Sequence, residues 1–333
     1  MKAVVMTEPG PPEVLALREV PEPEITRPEQ IKVRLHAAGV NPIDTKLRKR
    51  GLFYGAQPPA ILGCDGAGEV VAVGEQVSRF QPGDQVWFCH GGLGREQGNY
   101  AEFTVLDEQR AEFKPAKVDW VHAAAGPLVL ITAWEALYDR GRLEPEQDVL
   151  IHGGAGGVGH VAVQLAKLRG ARVFTTVSSP EKAELVRRLG ADVVIDYTRE
   201  SVAEVVDRVT EGRGVDLVFD TVGPEVFRAS IPLLAEYGTL VTILDPGEGL
   251  VTSEARNRNL TIAFTLMLTP ALKDLPDALA HQGEILRRCG EWMTEGRLRI
   301  EVSRVLPLAE AAEAHRLVET GHTLGKIVLD IDA

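Results

Sequence analysis

The chain of 333 residues carries 36 Lys and Arg against 48 Asp and Glu, a formal net charge of −12, with a pI of about 5.2. This acidic balance argues against non-specific binding to nucleic acid or to anionic membranes. The length exceeds that of a usual single domain, so two are expected. Three widely spaced cysteines, Cys64, Cys89 and Cys289, supply neither a disulfide framework nor a CxxC zinc pattern, which favours a reducing, cytoplasmic setting.

Residues 1–110 read as short strands punctuated by Pro and Gly. The strongest strand signals are Lys2 to Met6, Gln30 to Ala38, Gly68 to Val73, Gln85 to Phe88 and Tyr100 to Val105. Turn clusters lie at Pro9 to Pro12, Pro21 to Pro28 and Pro82 to Asp84. The opening residues, one lysine followed by Glu8 and a Pro/Gly cluster, do not read as a signal peptide. One short helix is predicted from Pro42 to Arg48, with Asn41 as its N-cap. His90 to Asn99 is a polar, glycine-rich loop suited to the rim of a cleft.

From Ala123 the pattern changes. The longest apolar stretch, Ala123 to Trp134, is broken by Gly126-Pro127 and is too short to span a bilayer. Asp148 to Ile151 is then an apolar strand, followed by Gly153, Gly154, Gly156, Gly157 and Gly159, and by Val161, Leu165 and Leu168 at helical spacing. Gly170 stops that helix and Arg172 to Val177 forms the next strand. This βαβ unit places its glycines where a dinucleotide pyrophosphate sits on a helix N-terminus. Further strands are predicted at Val193 to Asp196, Val215 to Asp220, Thr239 to Leu244 and Leu260 to Phe264. Helices Pro180 to Leu189, Ser201 to Thr210 and Glu225 to Leu234 lie between them. Six strands with intervening helices make a doubly wound parallel sheet. Beyond about residue 270, amphipathic runs at His281 to Glu295 and Leu308 to Glu319 precede a last strand, Lys326 to Leu329.

The stretches GVNPIDTKLRKRG (39–51), LGCDGAGEVVAVG (62–74), FQPGDQV (80–86), GGAGGVGHVAVQLAKLRGA (153–171) and GKIVL (325–329) resemble, in order, the medium-chain dehydrogenase/reductase superfamily. Within it they are similar to the zinc-free quinone oxidoreductase branch, the relatives of zeta-crystallin. The resemblance implies an α/β fold in which a GroES-like, mostly β catalytic domain, residues 1–122 and 268–333, wraps around a six-stranded Rossmann domain, residues 123–267.

Zinc-dependent members hold a catalytic metal with Cys, His and Cys. The corresponding positions look like Asn41, Cys64 and Leu128 here, and a carboxamide and an aliphatic side chain cannot replace thiolate and imidazole. Cys89 and His90, two adjacent residues, make no metal site alone. No metal is expected. Interconversion of simple alcohols and aldehydes is then disfavoured, and hydride delivery to an activated acceptor, a quinone or an enone, is favoured.

An NAD site commonly ends its second strand with Asp or Glu to bind the ribose hydroxyls. Here that strand runs into Ser178 and Ser179 with no carboxylate. In the resembled family, residues at the places of Ser178, Lys182 and Tyr197 surround a 2′-phosphate, so NADPH is the expected cofactor. Lys182 read alone is equally a solvated helix residue, Glu181 adjoins it, and an arginine of some relatives is Gly321 here, beside His322. The resemblance further implies that Gly156, Gly157, Val158 and Gly159 face the pyrophosphate. It places Thr132 and Asn41 near the nicotinamide and Val222 and Ile243 beside its ribose. Val222 and Ile243 read equally well as ordinary core.

At the substrate end, Asn41, Asp44 and Tyr54 stand out. Asn41 and Asp44 lie three apart on one helical face. Asn41 is read at the hydride-transfer face and also as a plain N-cap, and Asp44 as ordering the loop beneath. Tyr54 is read as a hydrogen-bond donor to an acceptor oxygen. Loops 52–60, 90–99 and 266–276 frame the substrate but carry no diagnostic pattern. The expected activity is NADPH-dependent, zinc-independent reduction of quinones. The alternatives are an enone, alkenal or enoyl thioester reductase of the same build, and a non-catalytic NADPH-binding protein. The resemblance also implies a homodimer through the strand at Leu260 to Phe264, an apolar edge that would otherwise be a liability.

Overall fold

The computed structural model of the chain describes residues 1–248 and 252–333. They form two compact units, residues 1–128 with 273–333, and residues 129–272. In chain order the first unit opens with β1 (Lys2–Met6), β2 (Leu15–Glu19), β3 (Gln30–Val40), α1 (Pro42–Arg50), β4 (Ala60–Ile61), β5 (Asp65–Val73), β6 (Gln85–Cys89), β7 (Phe103–Asp107), β8 (Glu112–Phe113) and α2 (Trp120–Ala125). After α3 (Pro127–Trp134), strands and helices alternate as β9 (Asp148–Ile151), α4 (Gly159–Arg169), β10 (Arg172–Val177), α5 (Pro180–Arg188), β11 (Val193–Asp196), α6 (Val202–Val209), β12 (Val215–Asp220), α7 (Pro224–Ser230), β13 (Leu234–Thr242), α8 (Thr252–Asn257) and β14 (Thr261–Phe264). The chain then continues through α9 (Thr269–Lys273), α10 (Pro276–Thr294), β15 (Val302–Pro307), α11 (Ala311–Glu319) and β16 (Lys326–Asp330).

In residues 129–272 the six strands lie in the order β11-β10-β9-β12-β13-β14, and every pair is parallel. The order reverses direction between β9 and β12, the switch point where open α/β sheets take their ligands. All four residues of β9 are buried, as a strand covered on both faces requires. The valine stripe of α6 packs Val205 and Val206 into a core with Leu150, Phe174, Phe227 and Leu240. Cutting a leucine such as Leu150 to alanine in a core of this kind costs about 2–5 kcal/mol. Gly170 ends α4 in the left-handed region at φ 89°, where a Cβ is penalised.

The other unit is mostly β. It has a three-stranded sheet, β2-β1-β4, and a seven-stranded sheet, β15-β16-β3-β5-β6-β8, with β7 also paired to β3. Ile31, Val33, Leu35, Val70, Val86 and Phe88 fill its core. β3 runs antiparallel to β16 with Val40 opposite Ile327, and antiparallel to β5 with Gly39 opposite Asp65. This register sets the residue after β3, Asn41, between the first residues of two neighbouring strands, Lys326 and Asp65.

Several elements differ from expectation. The strand expected at Tyr100 to Val105 begins at Phe103. The preceding residues turn to the other sheet, where Ala101 bridges Ala3 and Tyr100 accepts from Val4 N. The strands β2 and β15 carry no strong signal in the sequence. Both are half exposed, so alternation of apolar residues is weak and pairing alone makes them strands. The helix expected from His281 begins at Pro276, with proline in its first turn. Among the described residues no helix is long and apolar enough to cross a membrane.

Candidate functional site

The glycine turn is built by close approach. Gly153 adopts φ +69°, and its N–H donates to Thr176 Oγ1 at 3.0 Å. A Cβ on Gly154 would overlap Thr175 Oγ1, and one on Gly159 would strike the Gly153 carbonyl and lie 2.8 Å from Gly154 Cα. Both positions therefore need glycine for packing of strand, turn and helix. Beneath the turn, His152 lies 2.9 Å from Ser230 Oγ and 3.4 Å from Thr176 Oγ1. Burial pushes its imidazole down to about 4, so it is neutral near pH 7.

The helices that follow differ at their N-termini. In α5, Ser179 Oγ accepts from Lys182 N, and in α6 Ser201 accepts from Glu204 N. α4, which begins at the glycine turn, has Val158 at its N-cap position and no side-chain cap. Backbone takes up part of this turn, Gly156 N donating to Gly153 O at 2.9 Å and His160 N to Gly156 O at 3.0 Å; a helix N-terminus of this kind suits an anionic ligand. Gly156, Gly157 and Val158 are half-buried and Gly159 is buried.

At the end of β10, Lys182 Nζ donates to Ser178 Oγ at 3.2 Å. Tyr197 N donates to Val177 O at 3.2 Å, and the tyrosine is 56% exposed. Lys182 and Ser178 thus meet just beyond β10, which itself ends without a carboxylate, and the Tyr197 backbone adjoins Val177, opposite which stands Asp196. The ends of β12 and β13 are shaped by Asp220, which is buried and accepts from Val222 N at 2.9 Å, Gly223 N at 3.1 Å and Thr242 Oγ1 at 2.9 Å. The core reading of Val222 does not hold, since it is 53% exposed; Ile243 is half-buried. Thr132 is buried on α3.

In the mostly β unit, Asn41 and Asp44 belong to a buried polar cluster. Asn41 Nδ2 donates to Asp65 Oδ2 at 2.8 Å, and Lys326 Nζ donates to Asn41 Oδ1 and to Val40 O at 2.9 Å. Asn41 holds the N-cap position of α1, and its carboxamide bonds Asp65 through Nδ2 and Lys326 through Oδ1. At the helix start Asn41 N donates to Asp44 Oδ2 at 2.8 Å. Asp44 Oδ2 also accepts from Tyr100 OH at 3.1 Å, and Cys64 Sγ lies 3.7 Å from Asp44 Oδ1. Leu128 N donates to Asp65 Oδ1 at 2.9 Å.

Burial dominates the electrostatics of this cluster. It raises Asp44 to about 7 and Asp65 to about 6, the latter opposed by Lys326 and by the bond from Asn41. It lowers the Lys326 ammonium, opposed by Asp65 and Asp44. The thiols of Cys64 and Cys89 are pushed well up by burial and by the neighbouring carboxylates, so both stay protonated near pH 7. Among the described residues no group of three or more His, Cys, Asp or Glu is placed to hold a metal ion.

Tyr54 lies elsewhere, 41% exposed and in the left-handed region at φ 61°. The Arg95 guanidinium sits 3.9 Å from its ring centroid, and Arg95 Nη1 donates to Asp274 Oδ2 at 2.6 Å. Each of the three loops expected to frame a substrate contributes one of these residues. Sequence reasoning passed over Asp65, Tyr100, His315 and Lys326. Asp65, in the stretch 62–74, and Lys326, in the stretch 325–329, lay in recognisable segments; Tyr100 and His315 had no such signal.

Residues 27–116 match the family described as the alcohol dehydrogenase GroES-like domain, and residues 189–329 match the one described as zinc-binding dehydrogenase. A quinone oxidoreductase of Pseudomonas aeruginosa is 38% identical over 327 residues, covering 96% of each chain. A chloroplastic NADPH-dependent alkenal/one oxidoreductase of Arabidopsis thaliana is 32% identical, covering 99% of this chain and 79% of that protein. The structure of Escherichia coli quinone oxidoreductase complexed with NADPH superposes with a TM-score of 0.86 at 28% identity, covering 99% of this chain and 100% of that one. With its GroES-like and Rossmann architecture, the chain belongs to the medium-chain dehydrogenase/reductase superfamily, in the quinone oxidoreductase branch.

Proposed function

We propose that this oxidoreductase uses NADPH to reduce quinones without a metal. The observation that carries the cofactor choice is the Lys182–Ser178 contact at a strand end lacking a carboxylate. Ser178, Lys182 and Tyr197 bind the 2′-phosphate, and the turn of Gly156, Gly157, Val158 and Gly159 faces the pyrophosphate through its backbone N–H groups, that of Gly156 being given to Gly153 O. Thr132 and Asn41 orient the nicotinamide, and Val222 and Ile243 border its ribose. When bound, NADPH supplies a hydride for transfer. Tyr54 orients the acceptor, and Asp44 orders the start of α1 under Asn41.

Metal independence rests on the chemistry of the three ligand positions. The Asn41 carboxamide is engaged by Asp65 and Lys326, Cys64 is held as a thiol by burial, and Leu128 has no ligating atom. The same reading takes residues 1–122 and 268–333 as the catalytic domain, 123–267 as the cofactor domain, and the cytoplasm as the setting. It includes a homodimer through β14, beside which Phe264 and Leu266 are 56% and 57% exposed.

A second reading, reduction of alkenals or enones, draws on the Arabidopsis relative and on the same residues. The test is oxidation of NADPH with benzoquinone, phenanthrenequinone or an alkenal, repeated with NADH and with a chelator. Quinone turnover that prefers NADPH and ignores the chelator is expected. Turnover with the alkenal alone would move the substrate class, loss of activity with chelator would overturn the metal-free reading, and NADPH binding without turnover would favour a non-catalytic role.

A further inference from the structure

The carboxamide of Asn41 can be flipped by half a turn, exchanging its oxygen and nitrogen, at little cost in a neutral setting. Here the sheet forbids that exchange. β3 lies between β16 and β5, so the residue that leaves β3 has the first side chain of each neighbour on either hand. Lys326, opening β16, donates to Asn41 Oδ1. Asp65, opening β5, accepts from Asn41 Nδ2 at 2.8 Å. A flipped carboxamide would set its N–H groups against an ammonium and its oxygen against a carboxylate.

The two charged groups are themselves tied to backbone. Lys326 Nζ donates to Val40 O at 2.9 Å, and Asp65 Oδ1 accepts from Leu128 N at 2.9 Å. All three side chains are buried, with Asn41 and Asp65 at 0% and Lys326 at 3% exposure. Solvent therefore does little to screen the pair. With Nδ2 bonded to Asp65 and Oδ1 to Lys326, the second Nδ2–H of Asn41 is left in a fixed direction.

The structure assigns Lys326 and Asp65 as positioning residues that hold the Asn41 carboxamide in one flip state. The assignment rests on the proposed role of Asn41 toward NADPH. Neither residue is a catalytic group, because each acts through Asn41.

Four variants of the full chain test this: Asn41→Ala, Asp65→Asn, Lys326→Met and the double variant Asp65→Asn with Lys326→Met. Single changes leave one buried charge without its partner and are prone to misfold. The double variant removes both charges and keeps side-chain volume, so it carries the test if the single variants do not fold. NADPH affinity is measured by calorimetry, kcat and KM with benzoquinone, and the Asn41 side-chain amide by NMR of protein labelled with nitrogen-15 at asparagine. The expected result for the double variant is a kcat about tenfold lower with KM for quinone little changed, about 1.4 kcal/mol of lost transition-state stabilisation. Its Asn41 amide signal is expected to broaden or divide between two flip states, while wild type shows one signal that moves on adding NADPH. A folded double variant with wild-type kcat, NADPH affinity and a single Asn41 signal would overturn the assignment. If Asn41→Ala itself leaves NADPH affinity and kcat unchanged, the underlying role of Asn41 fails and the assignment with it. If Asn41→Ala is impaired and the double variant is not, only the positioning role fails.

Discussion

The Tyr100 hydroxyl donates to Asp44 Oδ2 at 3.1 Å, so a carboxylate with no exposed surface is held by a phenol and by the Asn41 N–H. The same hydroxyl lies 3.2 Å from His315 Nε2. These groups set opposing pH dependences of stability. Asp44 titrates near 7 and Asp65 near 6 in the folded protein, against about 3.9 for an unfolded aspartate. The folded state holds protons that the unfolded state has lost, so this contribution is complete below about pH 4 and is lost as pH rises through 6 and 7. His152, near 4, and His315, near 3, act in the opposite sense. Their contribution is present above about pH 6.5 and is lost as pH falls toward 4. Asp44→Asn removes one of the two raised carboxyls. Urea unfolding from pH 5 to 8 should show the variant gaining on wild type with rising pH, by up to about 1.4 kcal/mol per pH unit. Parallel stability curves would contradict the raised value for Asp44.

Lys182→Ala should discriminate between the two nicotinamide cofactors. The lysine and Ser178 are already in contact, so a phosphate would meet a prearranged cation and hydroxyl. Loss of one charge-assisted bond, about 1.5–3 kcal/mol, predicts an NADPH Kd raised roughly ten- to hundredfold with NADH affinity nearly unchanged. Equal weakening of both, measured by calorimetry, would place the 2′-phosphate elsewhere.

Gly159→Ala should damage both stability and cofactor binding. The added methyl would meet the Gly153 carbonyl and Gly154 Cα, and backbone at a tight turn cannot step aside as a flexible side chain can. Overpacking of this kind costs about 1–3 kcal/mol. A lower Tm together with weakened NADPH binding is the expected pair of results; an unchanged Tm would mean that the turn relaxes freely.

Arg95→Ala should leave the fold alone and alter the acceptor. The Arg95–Asp274 pair is exposed and the stack on Tyr54 is partly so, contributions of about 1 kcal/mol or less each. Tm is therefore expected to change little. Because the stack restrains Tyr54, KM for quinone should rise a few-fold while NADPH affinity stays constant, and the difference from wild type should shrink as salt screens the ion pair. A KM equal to wild type at low salt would remove Tyr54 from the acceptor site.

The parts legible in the sequence are those whose information is local. Strands such as Asp148–Ile151 and Val215–Asp220 carry the apolar runs Val149 to Ile151 and Leu217 to Phe219, each preceded by an aspartate, because a covered parallel sheet demands them. The glycine turn announces itself for a related reason, since side chains are excluded at Gly154 and Gly159. Val302–Pro307 announces nothing. It is half exposed, and its partner, Lys326–Asp330, lies beyond a helix. Asn41, Asp65 and Lys326 each lay in a recognisable stretch, but their meeting was not legible. Lys326 is separated from Asn41 by 285 positions, and no periodicity links a lysine opening one strand to an asparagine leaving another. The exposure of Val222 was likewise hidden, because a valine at a strand end reads as core until Asp220 is seen turning the chain outward.

The pairing of β16 with β3, Ile327 opposite Val40, has a consequence for how the chain matures. Residues 129–272 are contiguous and can close their sheet during synthesis, whereas β3 waits for a strand made almost 300 positions later, about 15–60 s at common elongation rates. Until then the end of β3 from Ala37 to Val40, beyond its pairing with β7, is an open edge that invites mispairing, and Asp65 has no lysine opposite it. The Rossmann sheet therefore closes before the cluster around Asn41 does, and nascent chains stalled before Lys326 should protect the Rossmann amides from exchange while the β16-facing end of β3, Ala37 to Val40, stays unprotected.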